Sequence, residues 1–368
     1  MENTQVFEAF LVLLRSGLWG TPASADCFPL TKTDWEELYD MSNKQTLLGI
    51  IYDGILTLPP ELFPPRELVY RWTAIVSGIE VRNEEMNAEV GKLAFLFSQK
   101  GLRAILLKGQ GVAACYTIPE HRICGDMDWN FPISGDFDGA NKMIAASNKG
   151  LKFSPGFSAE YHWGKFYSEH HLRMVDVHSP FGNYYIKRLI HSELKGTNEM
   201  NMGGQRVEVP SPLLNCLCVN MHILKHFLSF GIGLRQLCDA ARVYYTSVEE
   251  IDGARLEKAY KKLGVMRWIQ VLHQVLVDYL GLPEEYLPFP LKRKTDVSWM
   301  LNEVLIGGNF GFNDTRFGSA ENYASGRRPK RYSQLFHRFV LNFRYAPMEA
   351  VFFPLVQFYS GILSKFKK

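Results

Sequence analysis

Apolar residues change their spacing at Gly101, and that change constrains the fold more than any other feature of the chain. Upstream, ELVYRWTAIVSGIEVRNEEMNAEVGKLAFLFSQK repeats apolar residues at helical period from Glu67 to Lys100 and stops at Gly101, the residue type that closes a helix in a left-handed conformation. Downstream the apolar runs shorten to strand length. RAILLKG predicts a short buried strand, QGVAACYTI a helix broken by Pro119, DMDWNFPI a second strand and DFDGANKMIAASNKG a second helix. LKFSPGF, HLRMVDVHS and QRVEVP predict three more strands. Helical spacing returns from Pro212, and residues 3–15 and 34–56 carry it too, with Thr33 and Asp34 as an N-cap. The expectation is an α+β protein with an N-terminal helical region over 1–100, a small sheet domain over 101–210 and a C-terminal helical domain with a basic tail over 211–368.

Charge and cysteine usage narrow the class. Net charge is +3, but Gly326 to Lys368 holds nine Lys and Arg against Glu349 alone, so this segment carries +8 and the rest of the chain −5. Its GRRPKRY run reads as a solvated basic loop, with contact to nucleic acid or an acidic membrane as the alternative. The six cysteines form no C-x-x-C pair, which predicts buried free thiols in a reducing cytoplasm rather than a disulfide or zinc framework. MENTQVFEAFLVLLRSG starts acidic and lacks a basic n-region, so no signal peptide is expected. The apolar stretch APMEAVFFPLVQFYSGIL contains Pro347, Glu349, Pro354 and Gln357, which predicts a packed amphipathic helix and no transmembrane segment.

The chemistry concentrates in GDMDWNF, residues 125–131. In an extended strand Asp126, Asp128 and Asn130 share one face while Met127, Trp129 and Phe131 share the other. Two carboxylates that close repel unless a cation sits between them, and a divalent metal is the usual cation. The apolar residues lie within and after the pair, and the preceding PEHRICG is polar, so the pair opens its strand instead of ending it. That order argues against phosphatases and glycosyltransferases that place Asp-x-Asp at a strand end.

A strand, a glycine turn, a helix and then Asp-x-Asp opening the next strand resembles the polymerase-beta-like nucleotidyltransferase superfamily. More closely, LLKGQGVAACYTIPEHRICGDMDWNF resembles the Lys-Gly, Tyr, Pro, Arg, Asp-x-Asp signature of an uncharacterised bacterial nucleotidyltransferase family. VDVHSPF is similar to that family's Asp/Glu-x-His strand, and MHILKHFLSFGIGLRQLCDAAR to its helical motif of His, Lys-His, Arg and Asp. The resemblance covers roughly Gly101 to Arg242. It implies transfer of a nucleoside monophosphate from a nucleoside triphosphate to an unknown hydroxyl or phosphate acceptor, with Mg2+ or Mn2+ held by three carboxylates. Asp126 and Asp128 supply two, and Asp176, with His178 on its face, is expected to supply the third and to assist proton removal. A catalytically silent nucleotide-binding or partner-binding module on the same fold is the alternative.

Around these carboxylates, Lys108 is expected to hold the triphosphate, with backbone amides approaching it at Gly109 and Gly111. The competing role for Lys108 is a salt bridge to Asp126. Arg122 either grips phosphate or is a solvated charge. His222 and His226, four apart with Lys225 beside them, either line the substrate cleft or pack in the core; without a third ligand they make a poor zinc site. Arg235 and Asp239, also four apart, predict an ion pair along one helix.

Overall fold

Short strands bounded by glycine turns assemble into one seven-stranded mixed sheet. In the computed structural model, which describes residues 4–147, 150–154, 158–292, 294–317 and 331–366, the strands are β1 (Ile105–Leu107), β2 (Asp126–Asn130), β3 (Lys152–Ser154), β4 (Ser158–Trp163), β5 (Phe166–His171), β6 (Asn198–Met202) and β7 (Gln205–Val209). Their order is β3-β4-β5-β2-β1-β7-β6. β2 runs antiparallel to β1 and parallel to β5. Of the run GRRPKRY, residues 326–330 lie outside the described residues, as do 155–157 of LKFSPGF.

HLRMVDVHS does not form the expected strand. The strand is β5, seven residues earlier in phase, and Leu172 to Ser179 is a connecting loop. Beside the buried Phe166, two of the three inward residues of β5 are polar: Ser168 and His170 are fully buried, Ser168 Oγ donates to the Met127 carbonyl at 3.1 Å, and His170 bonds Tyr161 and Asn141 at 2.8 Å each. Met174, Val175 and Val177 are buried too, but as loop residues pressed into the helical core.

Helices α1 (Thr4–Trp19), α2 (Lys32–Lys44), α3 (Leu48–Ile55) and α4 (Arg66–Gln99) precede the sheet. α5 (Gly109–Ala113), α6 (Asp136–Ser147) and α7 (Pro180–Glu193) lie within it in sequence, and α8 (Pro212–Leu228), α9 (Leu234–Ser247), α10 (Gly253–Leu263), α11 (Met266–Asp278), α12 (Ser298–Gly307), α13 (Arg331–Phe343) and α14 (Pro347–Phe366) follow. The helices on the two sides of the sheet share one core. Trp19 Nε1 donates to the Leu280 carbonyl at 2.7 Å, and Arg242 Nη1 to the Leu18 carbonyl at 2.6 Å. A second core lies under the sheet. α4 enters both, giving Leu68, Trp72 and Val76 to the first and Met86, Val90, Leu93 and Phe97 to the second. Among the described residues no helix is long and apolar enough to cross a membrane.

Glu349 of α14 is buried and accepts from the His178 amide at 2.9 Å, the Ser179 amide at 3.0 Å and His178 Nδ1 at 2.9 Å. This carboxylate satisfies amides that open α7, where a negative charge is favoured. His178 is thereby a tie between α7 and α14, stacked edge-on against Phe353, and does not reach the site predicted for it.

Candidate active site

The site starts at the end of β1. Lys108 has φ 48° and Gly109 φ 39°, and a Cβ on Gly109 would sit 3.2 Å from the Asp126 carbonyl, so a side chain at Gly109 would be strained and would crowd β2. Gly111 serves packing instead: its Cβ position is 3.6 Å from the Val209 side chain, and it does not line the cavity. α5 is a single five-residue turn, too short to present a developed helix dipole.

Across the turn, strand register sets the carboxylates. Asp126 lies opposite Tyr167, and Asp128 lies between Leu107 of β1 and Glu169 of β5. His171, on the same face of β5 as Glu169, places Nε2 2.6 Å from Asp128 Oδ1 and 3.7 Å from Glu169 Oε2. Lys108 Nζ sits 3.2 Å from the same Asp128 oxygen, so the lysine pairs with Asp128 and not with Asp126. Burial works to raise the Asp128 pKa, yet Lys108 and His171 together hold that carboxyl well below its usual range. Asp126 goes the other way. Burial, then the Asp128 charge, push it up to about 6.

One ligand atom each from Asp128, Glu169 and His171 lie within 4.8 Å of one another, the group among the described residues able to hold a metal ion. Glu169 and His171 carry the Glu-x-His pattern seven residues before the Asp-x-His that sequence reasoning selected, and that spacing on the neighbouring strand is the signal that could have found them. Asp176 stands apart in the loop after β5. It lies 3.2 Å from Lys225 Nζ and 3.8 Å from His222 Nδ1, both on α8, and burial notwithstanding the Lys225 charge and the His222 hydrogen bond hold its carboxyl well below its usual value. His222 faces Lys108 at 3.3 Å; burial, then Lys108, push its pKa down to about 4. His226 stacks between His222 and Phe310, at 4.3 and 4.8 Å between ring centres.

Of these groups Lys108, Asp126, Asp128 and His222 line a cavity of about 260 Å³, whereas Glu169, His171, Asp176, Lys225 and His226 are not part of its lining; the other wall is helical. There Arg122 is buried and clamps Asp239 with two bonds, Nε to Oδ1 at 3.0 Å and Nη2 to Oδ2 at 2.6 Å, while the Tyr116 hydroxyl donates to Oδ1 at 2.7 Å. Arg122 is therefore neither solvated nor free. The expected Arg235–Asp239 pair does not form, because Arg122 and Tyr116 occupy the aspartate; Arg235 Nε donates to Thr46 Oγ1 at 2.9 Å instead.

Backbone strain marks the same cavity independently of any motif. Among the described residues three non-glycine residues have positive φ, Thr46 at 55°, Lys108 at 48° and Phe310 at 51°, and all three line it. Such conformations cost of order 1–3 kcal/mol each and cluster at functional sites. Asn309 and Phe310 come from a segment that sequence reasoning left unassigned, and Thr46 lies in the break between α2 and α3, inside the span 34–56 expected to be helical throughout.

A mixed sheet that presents an Asp-x-Asp strand beside a Lys-Gly turn, flanked by helices, is the arrangement of a nucleotidyltransferase-like protein. The chain belongs to the family described as "Uncharacterised nucleotidyltransferase", whose model matches residues 31–281. The match spans both cavity walls, from α2 to the end of α11. No curated protein matches the chain significantly. Among solved structures it is similar to an antigenic nucleotidyltransferase-like protein from Paracoccidioides brasiliensis, at 15% identity and a TM-score of 0.32, over 54% of this chain and 93% of that one. A likeness at that score carries no argument.

Proposed function

We propose that the protein moves a nucleoside monophosphate from a nucleoside triphosphate to a hydroxyl or phosphate acceptor, using a divalent ion, Mg2+ or Mn2+. The observation that carries this is the register placing Glu169 beside Asp128 with His171 on the same face. The donor set fits the ion: three donor atoms within 4.8 Å of one another match ligand spacing around one cation. Lys108, on Asp128, occupies the position of a positive charge that these acids already accommodate. When bound, the ion would neutralise phosphate charge and polarise the phosphorus under attack.

We assign the third carboxylate to Glu169 in place of Asp176, whose charge is engaged by Lys225. Asp126, raised toward neutral pH, is suited to accept the proton of the acceptor hydroxyl as its oxygen replaces pyrophosphate on the α-phosphorus. Lys108 orients the phosphates, and His222, held neutral, backs Lys108 without competing for the anion. At about 260 Å³ the cavity holds the reacting groups and leaves much of a nucleotide outside. Residues 101–210 would supply the carboxylates and 211–368 the opposite wall. Six free cysteines suit a cytoplasmic, reducing setting.

The test is mass spectrometry after incubation with each triphosphate, Mn2+ or Mg2+, and cell extract. A species gaining one nucleotide is expected with the parent and lost, with divalent-ion binding, in Glu169→Gln. Asp176→Asn should keep ion binding. Ion binding that survives Glu169→Gln but not Asp176→Asn would return the third ligand to Asp176. A parent that binds triphosphate with no transfer to any species would favour the silent module.

A further inference from the structure

Arg235 is 8% exposed, lines the cavity and is the cation there without an acid. Its Nε is spent on Thr46, and among the described residues its terminal nitrogens find no acceptor and no carboxylate forms an ion pair with it. Asp239, one turn along α9, is taken by Arg122 and Tyr116. Two buried guanidiniums thus share one carboxylate and leave an excess positive charge on this wall. These terminal nitrogens are not sealed in the protein but open to the cavity, where an anion can reach them. Burial, then the neighbouring Arg122, lower the Arg235 pKa, which is the electrostatic mark of a guanidinium short of negative charge.

We propose that Arg235 is the anchor for a phosphate group of the substrate, held on the α9 wall apart from the metal-binding acids of β2 and β5. The fork of an arginine suits a phosphate, taking two oxygens at once, and the Thr46 bond fixes its orientation before the ligand arrives. Thr46 accepts that bond from a strained backbone, φ 55°, and its own hydroxyl donates to the Gln45 carbonyl at 2.7 Å. Gln45 in turn receives the Leu234 amide at 2.8 Å, so the tether and the first turn of α9 are held as one piece. Gln236 and Asn309 line the cavity alongside and add neutral amides. From the preceding section the proposal takes only that this cavity receives substrate. The phosphate could belong to the nucleotide donor or to the acceptor, and the chemistry of the grip is the same for both.

Calorimetry with inorganic tripolyphosphate in the presence of a chelator isolates this wall from the metal ligands. The parent should bind, Arg235→Gln should bind at least tenfold more weakly, and Arg235→Lys, which keeps charge but loses the fork, should fall between them. Mn2+ binding, followed by electron paramagnetic resonance, should be unchanged in both variants. Tripolyphosphate binding equal in parent and Arg235→Gln overturns the proposal, as does a parent that binds neither tripolyphosphate nor phosphate. If Arg235→Gln does not fold, Arg235→Lys decides: unaltered affinity overturns the proposal. A loss that extends to nucleoside triphosphate assigns the anchor to the donor. A loss seen only for inorganic phosphate added to triphosphate-saturated protein assigns it to the acceptor. Arg235-dependent phosphate binding in a protein that shows no metal-dependent triphosphate binding would sink the nucleotidyltransferase reading and leave this one standing.

Discussion

On the strand side Asp126, Asp128 and Lys108 line the cavity, with Glu169 and His171 beside Asp128, whereas the opposite wall brings Arg122 and Arg235 together with Asp239 alone. Even counting His171, whose pKa Glu169 and Asp128 raise against burial, as a cation, the strand side keeps an excess of acid and the opposite wall an excess of positive charge. The acid side already accommodates a cation, Lys108, on Asp128. The basic wall locks two of its three members to each other and leaves the third open. Such a polarity suits a ligand that is itself a cation bound to an anion.

Breaking the locked pair should have the largest effect. Asp239→Asn leaves the Arg122 guanidinium, 3% exposed, without its counter-charge, and should cost about 3–5 kcal/mol in denaturant unfolding. A loss below about 1 kcal/mol would mean that water reaches the pair and that the wall is less rigid than its bonds imply. Next comes Asp128→Asn, which removes the charge that both Lys108 and His171 contact and should cost about 1–3 kcal/mol while abolishing divalent-ion binding. Because the folded pKa of Asp128 is depressed, that cost should be present near neutral pH and shrink as acid protonates the parent's carboxyl.

The smallest effect has the opposite sign. Asp126 has a folded pKa of about 6 against an ordinary 3.8, so the folded state holds its proton more tightly and loses stability as pH rises through that window. Asp126→Asn cannot ionise. It should therefore melt about one or two degrees higher than the parent at pH 7.5 without metal, and the gap should close toward pH 4. Two aspartates one residue apart on one strand face would then move stability in opposite directions, which no reading of their spacing distinguishes. Equal shifts for the two variants would break the assignment of Lys108 to Asp128.

What the sequence made legible follows the same division. Apolar periodicity exposed β1, β2, α4 and the returning helices, since their buried faces are made of aliphatic and aromatic residues. β5 stayed hidden because after Phe166 its buried face is Ser168 and His170, satisfied by hydrogen bonds that a hydropathy pattern does not register, and with it went Glu169 and His171. The apolar MVDV run offered itself as the strand, though its burial comes from loop packing. Arg122 and Arg235 were both visible as charges. Which was locked and which was free depended on Asp239 meeting an arginine 117 positions away in preference to one four positions away, a choice made by tertiary packing.

The 34-residue α4 bears on how this cavity can work. At 1.5 Å per residue it is a rod about 50 Å long, and its midpoint residue Asn83 holds the Glu120 and Arg122 carbonyls at 2.6 and 2.9 Å. One half of the rod is set in the helical core and the other beneath the sheet, so a swing of one core against the other would have to bend this helix. Rotation of side chains such as Lys108 at the cavity asks for no such bend, and side-chain rotation is faster than a jaw-like closure.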